Sequence, residues 1–114
     1  MPLRFDSDTR QRLRRALLDK GMALATALTD LMAGKADKTR AAELPSAARK
    51  PGMTPIERLR AYLNHVEACR QRLDADDDSY GRCDVCGDDL GLTALQEMPW
   101  ADRCRTCAEA NYPG

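Results

Sequence analysis

The chain has 114 residues with 18 basic and 18 acidic side chains, so it is formally neutral, and aromatics make up only 4% of it. That length is one domain, or one small domain with a helical extension, and it excludes a large enzyme. No run approaches the roughly 18 apolar residues of a membrane span, and a neutral total does not hold a chain to nucleic acid by bulk charge.

The first segment, Met1-Pro2-Leu3-Arg4-Phe5-Asp6, lacks the apolar core of a secretory signal, and a cytoplasmic location is expected. A helix is predicted over residues 8–33. Asp6 or Ser7 caps it, and Asp8 lies in its first turn, where negative charge is favoured. Leu13, Leu17, Leu24, Leu28 and Leu31 form one apolar stripe, interrupted by Gly21.

Residues 34–53 form a linker rich in Ala, Lys and Arg, broken by Gly34, Pro45, Pro51 and Gly52. Loops of such length are functional or disordered, so the linker is expected either as a solvated tip or as a tip projected at a partner. A second helix is predicted over residues 55–77. Thr54-Pro55-Ile56-Glu57 combines an N-cap, a proline at the first helical position and the glutamate of a capping box. Ile56, Leu59, Leu63, Val66 and Leu73 then alternate by threes and fours, with Arg70 as the polar position of the seam. Two seams of similar length joined by one linker predict an antiparallel two-helix coiled-coil hairpin over residues 1–78, and a mainly α fold. The seams satisfy each other, so a monomer is expected.

Neutrality is a sum of opposites. Residues 1–34 carry net +2 and residues 35–53 net +3, against net −2 for residues 54–78 and net −3 for residues 79–114.

Four of the five cysteines fall in that last segment. Cys83-Asp-Val-Cys86 and Cys104-Arg-Thr-Cys107 are two CxxC pairs with seventeen residues between them. This spacing predicts one tetrahedral zinc ion held by Cys83, Cys86, Cys104 and Cys107 in a module over residues 79–114. Four protein ligands leave no position for a reacting water, so the ion is structural. Disulfides are disfavoured without a secretion signal, and a dithiol redox centre without a βαβ pattern. Cys69 is expected as a small half-buried residue of the second helix, His65 as solvated or capping, and Trp100 as packing over the zinc module.

Tyr80-Gly81-x-Cys83-x-x-Cys86-Gly87, Leu90-Gly91-Leu92, Leu95, Pro99-x-Ala101 and Cys104-x-x-Cys107 resemble the C4 zinc finger of the DksA/TraR family of bacterial transcription regulators. The order of elements is similar too, with a helical hairpin ahead of the finger. The resemblance implies a finger that fixes the base of a coiled coil. It also implies a coil that enters the secondary channel of RNA polymerase, with its tip near the catalytic centre. The family's acidic tip, Asp-x-x-Asp-x-Ala, has its nearest counterpart in Glu43-Leu44-Pro45-Ser46-Ala47-Ala48, which makes Glu43, Ser46 and Ala48 candidate partner contacts. Here Ser46 replaces an acid and the whole linker is cationic. The resemblance therefore favours polymerase binding over synergy with the alarmone ppGpp, which it leaves open.

Three classes of function are compatible with these features. A non-enzymatic polymerase-binding regulator fits them all. A DNA-binding zinc ribbon is disfavoured, because net −3 plus the formal −2 of a zinc tetrathiolate opposes phosphate contact. A zinc-stabilised interaction scaffold remains the alternative. An enzyme is disfavoured by the single histidine and the closed metal shell.

Overall fold

A computed structural model describes residues 5–109. Residues 1–4 and 110–114, the outer ends of the two expected segments, lie outside the described residues. The fold is mainly helical, with α1 at Ser7–Met32, α2 at Pro55–Asp74, α3 at Leu92–Glu97 and α4 at Arg105–Glu109. Short 3-10 turns at Ala41–Glu43 and Ser46–Ala48 lie between α1 and α2. Among the described residues there is no strand, only an isolated antiparallel bridge between Arg82 and Asp89.

Both long helices start where their caps predict. Asp6 accepts from the Thr9 amide at 2.7 Å, which lowers the Asp6 pKa. Thr54 and Glu57 form the full capping box ahead of Pro55. Both helices also end alike. At α1, Gly34 takes a φ of 87°, its N–H returns to Leu31 O and the Lys35 N–H to Asp30 O. At α2, Asp76 takes a φ of 56°, its N–H returns to Leu73 O and the Asp77 N–H to Arg72 O. This paired pattern is a Schellman close, and it ends α2 at Asp74 instead of the expected residue 77.

Arg10 near the start of α1 donates to Leu73 O at the end of α2, and Arg14 pairs with Asp74 at 3.0 Å. Gly21 further along α1 faces Leu63, Val66 and Glu67, so the helices run in opposite directions. Leu13, Leu17 and Leu24 of α1 are buried with Leu59, Val66 and Leu73 of α2. Leu28, Leu31 and Leu63 of the expected seams are half-buried.

Helix α2 buries a second stripe that the seam did not include: Tyr62, the half-buried His65, and Cys69. This stripe meets the C-terminal module and the linker. Trp100, expected over the zinc module, lies against Tyr62 with ring centroids 5.9 Å apart, so its ring also packs on α2. Lys20 of α1 sits 5.0 Å from the Trp100 ring centroid and 5.3 Å from that of Tyr62. Tyr80 and Leu95 of the C-terminal module join the same core.

The linker departs furthest from expectation. Residues 41–49 do not form a free tip; they fold back as a strap with Leu44, Ser46 and Ala48 buried. Leu44-Pro45-Ser46-Ala47-Ala48 is uncharged, and it covers apolar surface of α2 and the module that would otherwise face water.

Candidate metal centre

Two backbone devices build the cysteine site. In the first, Cys83 N–H donates to Asp88 O and Leu90 N–H to Gly81 O, both at 2.9 Å, folding the first CxxC pair into a tight knuckle. Gly87 closes it with a φ of 78°, where a side chain would be strained, and its N–H returns to Cys83 O at 3.0 Å. In the second, Cys104 immediately precedes α4, and the Cys107 N–H points at Cys104 Sγ from 3.4 Å. The two halves are stitched by Asp84 N–H donating to Asp102 O at 2.7 Å.

The result is a cluster of Cys83, Cys86, Cys104 and Cys107 whose sulfurs all lie within 4.8 Å of one another. Cys86 Sγ and Cys104 Sγ are 3.8 Å apart. A tetrahedron with Zn–S bonds of about 2.3 Å has edges of about 3.8 Å, so the Cys86–Cys104 pair already has the spacing of a zinc site and the whole cluster is within reach of one ion. Cys83 and Cys107 are buried, Cys104 partly so, and Cys86 is exposed.

The protonation chemistry points the same way. Burial raises the Cys83 thiol, but amides of Cys104, Cys86 and Val85 outweigh it and bring the pKa down to about 6. Cys107 is moved the other way, up to about 12, first by the neighbouring Cys104 sulfur and then by burial. Four thiolates in this volume need a cation among them. A divalent ion supplies it, and the site takes one structural zinc ion.

Other residues singled out in the sequence lie outside this shell. Cys69 is 4% exposed and its sulfur is 3.5 Å from His65 Nε2. His65 is neither solvated nor a helix cap; its Nε2 lies 2.8 Å from the carbonyl oxygen of Trp100, tying the middle of α2 to the module. Glu43, Ser46 and Ala48 are in the strap. Glu43 pairs with Lys20 at 2.9 Å and its carbonyl accepts from Trp100 Nε1 at 2.8 Å. Ser46 bonds to Asp84 and Asp102, and Ala48 is fully buried. Asp84, Asp102 and Trp100 were not recognised from the sequence as strap-holding residues. The signal available was the uncharged pentapeptide Leu44–Ala48 inside an otherwise charged linker.

Residues 78–113 match the family of prokaryotic dksA/traR C4-type zinc fingers. The RNA polymerase-binding transcription factor DksA of Haemophilus influenzae (strain ATCC 51907 / DSM 11121 / KW20 / Rd) is similar to this chain, with 39% identity over 51 residues. That match covers 45% of this chain and 34% of the relative, so the chain spans about a third of the protein it matches. No solved structure matches the chain at a significant level. Among the described residues no helix is long and apolar enough to cross a membrane.

Proposed function

We propose, from a module at residues 78–113 that is a DksA/TraR C4-type zinc finger, that the chain is a non-enzymatic bacterial transcription regulator acting on RNA polymerase. In this reading α1 and α2 act as an antiparallel coiled-coil hairpin that enters the secondary channel, and the zinc module fixes its base. The protein is monomeric and cytoplasmic. The observation that carries the reading is the family's finger packed against two opposed helices whose far end stands clear of it.

That far end holds the junctions of the linker with α1 and α2. Lys35, Lys38 and Lys50 are exposed beside these junctions, and Arg40 and Arg49 are exposed at the two edges of the strap. Lys35 leans on Asp30, while the exposed Asp37 accepts from the Thr39 amide at 2.9 Å. The end is therefore cationic, and it suits the phosphates of nucleic acid or nucleotide inside a polymerase better than its metal ions. Glu43, Ser46 and Ala48 serve as partner contacts only with the strap released.

An enzymatic role has little support. Zinc with four thiolate ligands lacks an open position. The His65–Cys69 pair is no activated nucleophile, because burial pushes the Cys69 thiol up to about 12. Direct DNA binding by the module is disfavoured by its net −3 charge.

Co-purification of the zinc-loaded protein with bacterial RNA polymerase tests the proposal. Capture is expected with the natural chain and is expected to fall for Lys38→Glu/Arg40→Glu/Lys50→Glu. No capture of a folded, zinc-loaded protein overturns the reading, and undiminished capture of the triple variant moves the contact off the cationic end.

A further inference from the structure

Ser46 spans the join between the two halves of the zinc finger. Its Oγ lies 2.7 Å from Asp84 Oδ2, inside the first CxxC pair, and 2.6 Å from Asp102 Oδ2, two residues before the second pair. Its N–H donates to the same Asp102 oxygen at 2.9 Å. This is also where the Asp84 amide meets the Asp102 carbonyl, so the strap is fastened at the stitch itself.

A hydroxyl has one proton to donate and satisfies one carboxylate at a time. Two carboxylates converge on a single hydroxyl here because the backbone on both sides holds them there. Arg103, with Nε 3.3 Å from Asp84 Oδ1, offsets part of the repulsion. That backbone is in turn fixed by the ligands: Asp84 follows Cys83, and Asp102 precedes Cys104 by two. With the ion absent, the thiols no longer draw the halves together, and like charges on Asp84 and Asp102 favour separation.

We propose that the strap is a metal-dependent clasp: zinc in the finger keeps residues 41–49 docked through Ser46, and loss of zinc releases them while α1 and α2 stay paired. The helices have an interface of their own in Leu17, Leu24, Leu59 and Val66, braced by Arg14 on Asp74. The strap has two 3-10 turns of three residues each, too short to persist alone. Release uncovers Leu44, Ala48 and the indole of Trp100, and lengthens the cationic end of the hairpin. The metal state of the finger thereby sets which surface that end presents. This goes beyond the polymerase reading, and it is tested on the isolated protein, so either fails without the other.

Amide hydrogen exchange of the strap, with α1 and α2 as internal references, provides the test. Three samples are compared: zinc-loaded protein, the same protein after chelation, and zinc-loaded Ser46→Ala. Chelation is expected to speed exchange across residues 44–49 by roughly tenfold or more, the scale of one hydrogen bond to a charged group. Ser46→Ala is expected to do the same with one zinc still bound and both helices protected. Strap exchange unchanged by chelation overturns the proposal. So does a zinc-loaded Ser46→Ala as protected as the natural chain, or α1 and α2 opening together with the strap on chelation.

Discussion

The indole Nε1–H of Trp100 donates to the backbone carbonyl of Glu43 across 2.8 Å, joining residues 57 apart in sequence. On its other side the Trp100 ring meets Tyr62 of α2, and the Trp100 carbonyl faces His65. One side chain of the finger thus holds the strap and α2 together, although it touches no zinc ligand in any of these contacts.

Replacing it should show that division of labour. Trp100→Phe keeps most of the ring contact but leaves the Glu43 carbonyl without its donor, at a cost of about 1–2 kcal/mol. Trp100→Ala also loses the packing and should cost about 3 kcal/mol. Denaturant unfolding checks both values, and the zinc content of both variants should equal that of the natural protein.

Tyr62 presents the opposite case. Its side chain is fully buried, and among the described residues its hydroxyl has no hydrogen-bond partner. Burial, reinforced by the nearby Glu43 carboxylate, raises its pKa well above the ordinary phenol value. Tyr62→Phe removes an unsatisfied polar atom and keeps the ring, so stability should be unchanged or higher by up to about 1 kcal/mol. Thermal unfolding of the two proteins measures the difference.

Gly21 breaks the leucine stripe of α1, and the structure shows why so small a residue sits there. A Cβ would lie 3.3 Å from Glu67 Oε1, and 3.9 and 4.0 Å from Leu63 and Val66. The tight contact is the far end of a flexible side chain, so Gly21→Ala should gain helix propensity and stabilise by about 0.5 kcal/mol. Gly21→Leu should destabilise by about 2 kcal/mol by forcing the helices apart. Equal losses for Ala and Leu would contradict this packing.

The capping box of α2 gives a pH dependence. The Thr54 hydrogen bonds lower the Glu57 pKa in the folded state. A depressed carboxylate stabilises the fold above its unfolded pKa, and that contribution fades as pH falls through the folded value. Unfolding midpoints of the natural protein and Glu57→Gln should therefore differ at pH 7 and converge toward pH 3. Thr54→Ala removes the cap itself and should cost about 1 kcal/mol at neutral pH.

The parts legible in the sequence are those with local causes. Asp6 and Thr54 cap the next turn, the leucine spacing sets which faces meet, and the CxxC turns place two sulfurs within a few residues. The strap was not legible, because Ser46 finds its partners 38 and 56 residues away and nothing periodic marks the linker. Cys69 was expected half-buried and is almost fully enclosed, because α2 has neighbours on two faces. The spacing of Tyr62, His65 and Cys69 by three and four carried that second face in plain view. The Asp76 turn ended α2 early because a non-glycine residue took the left-handed position that sequence rules reserve for glycine or asparagine.

In the proposed function the cationic end of the two-helix body contacts RNA polymerase. The most direct measurement places a photo-activated cross-linker at Lys38 of the zinc-loaded protein and maps the adducts formed with bacterial RNA polymerase. Adducts lining the secondary channel, competed away by unlabelled protein, are the predicted result. No adduct from a folded protein with one zinc bound, or adducts only on the enzyme's outer surface, would contradict it.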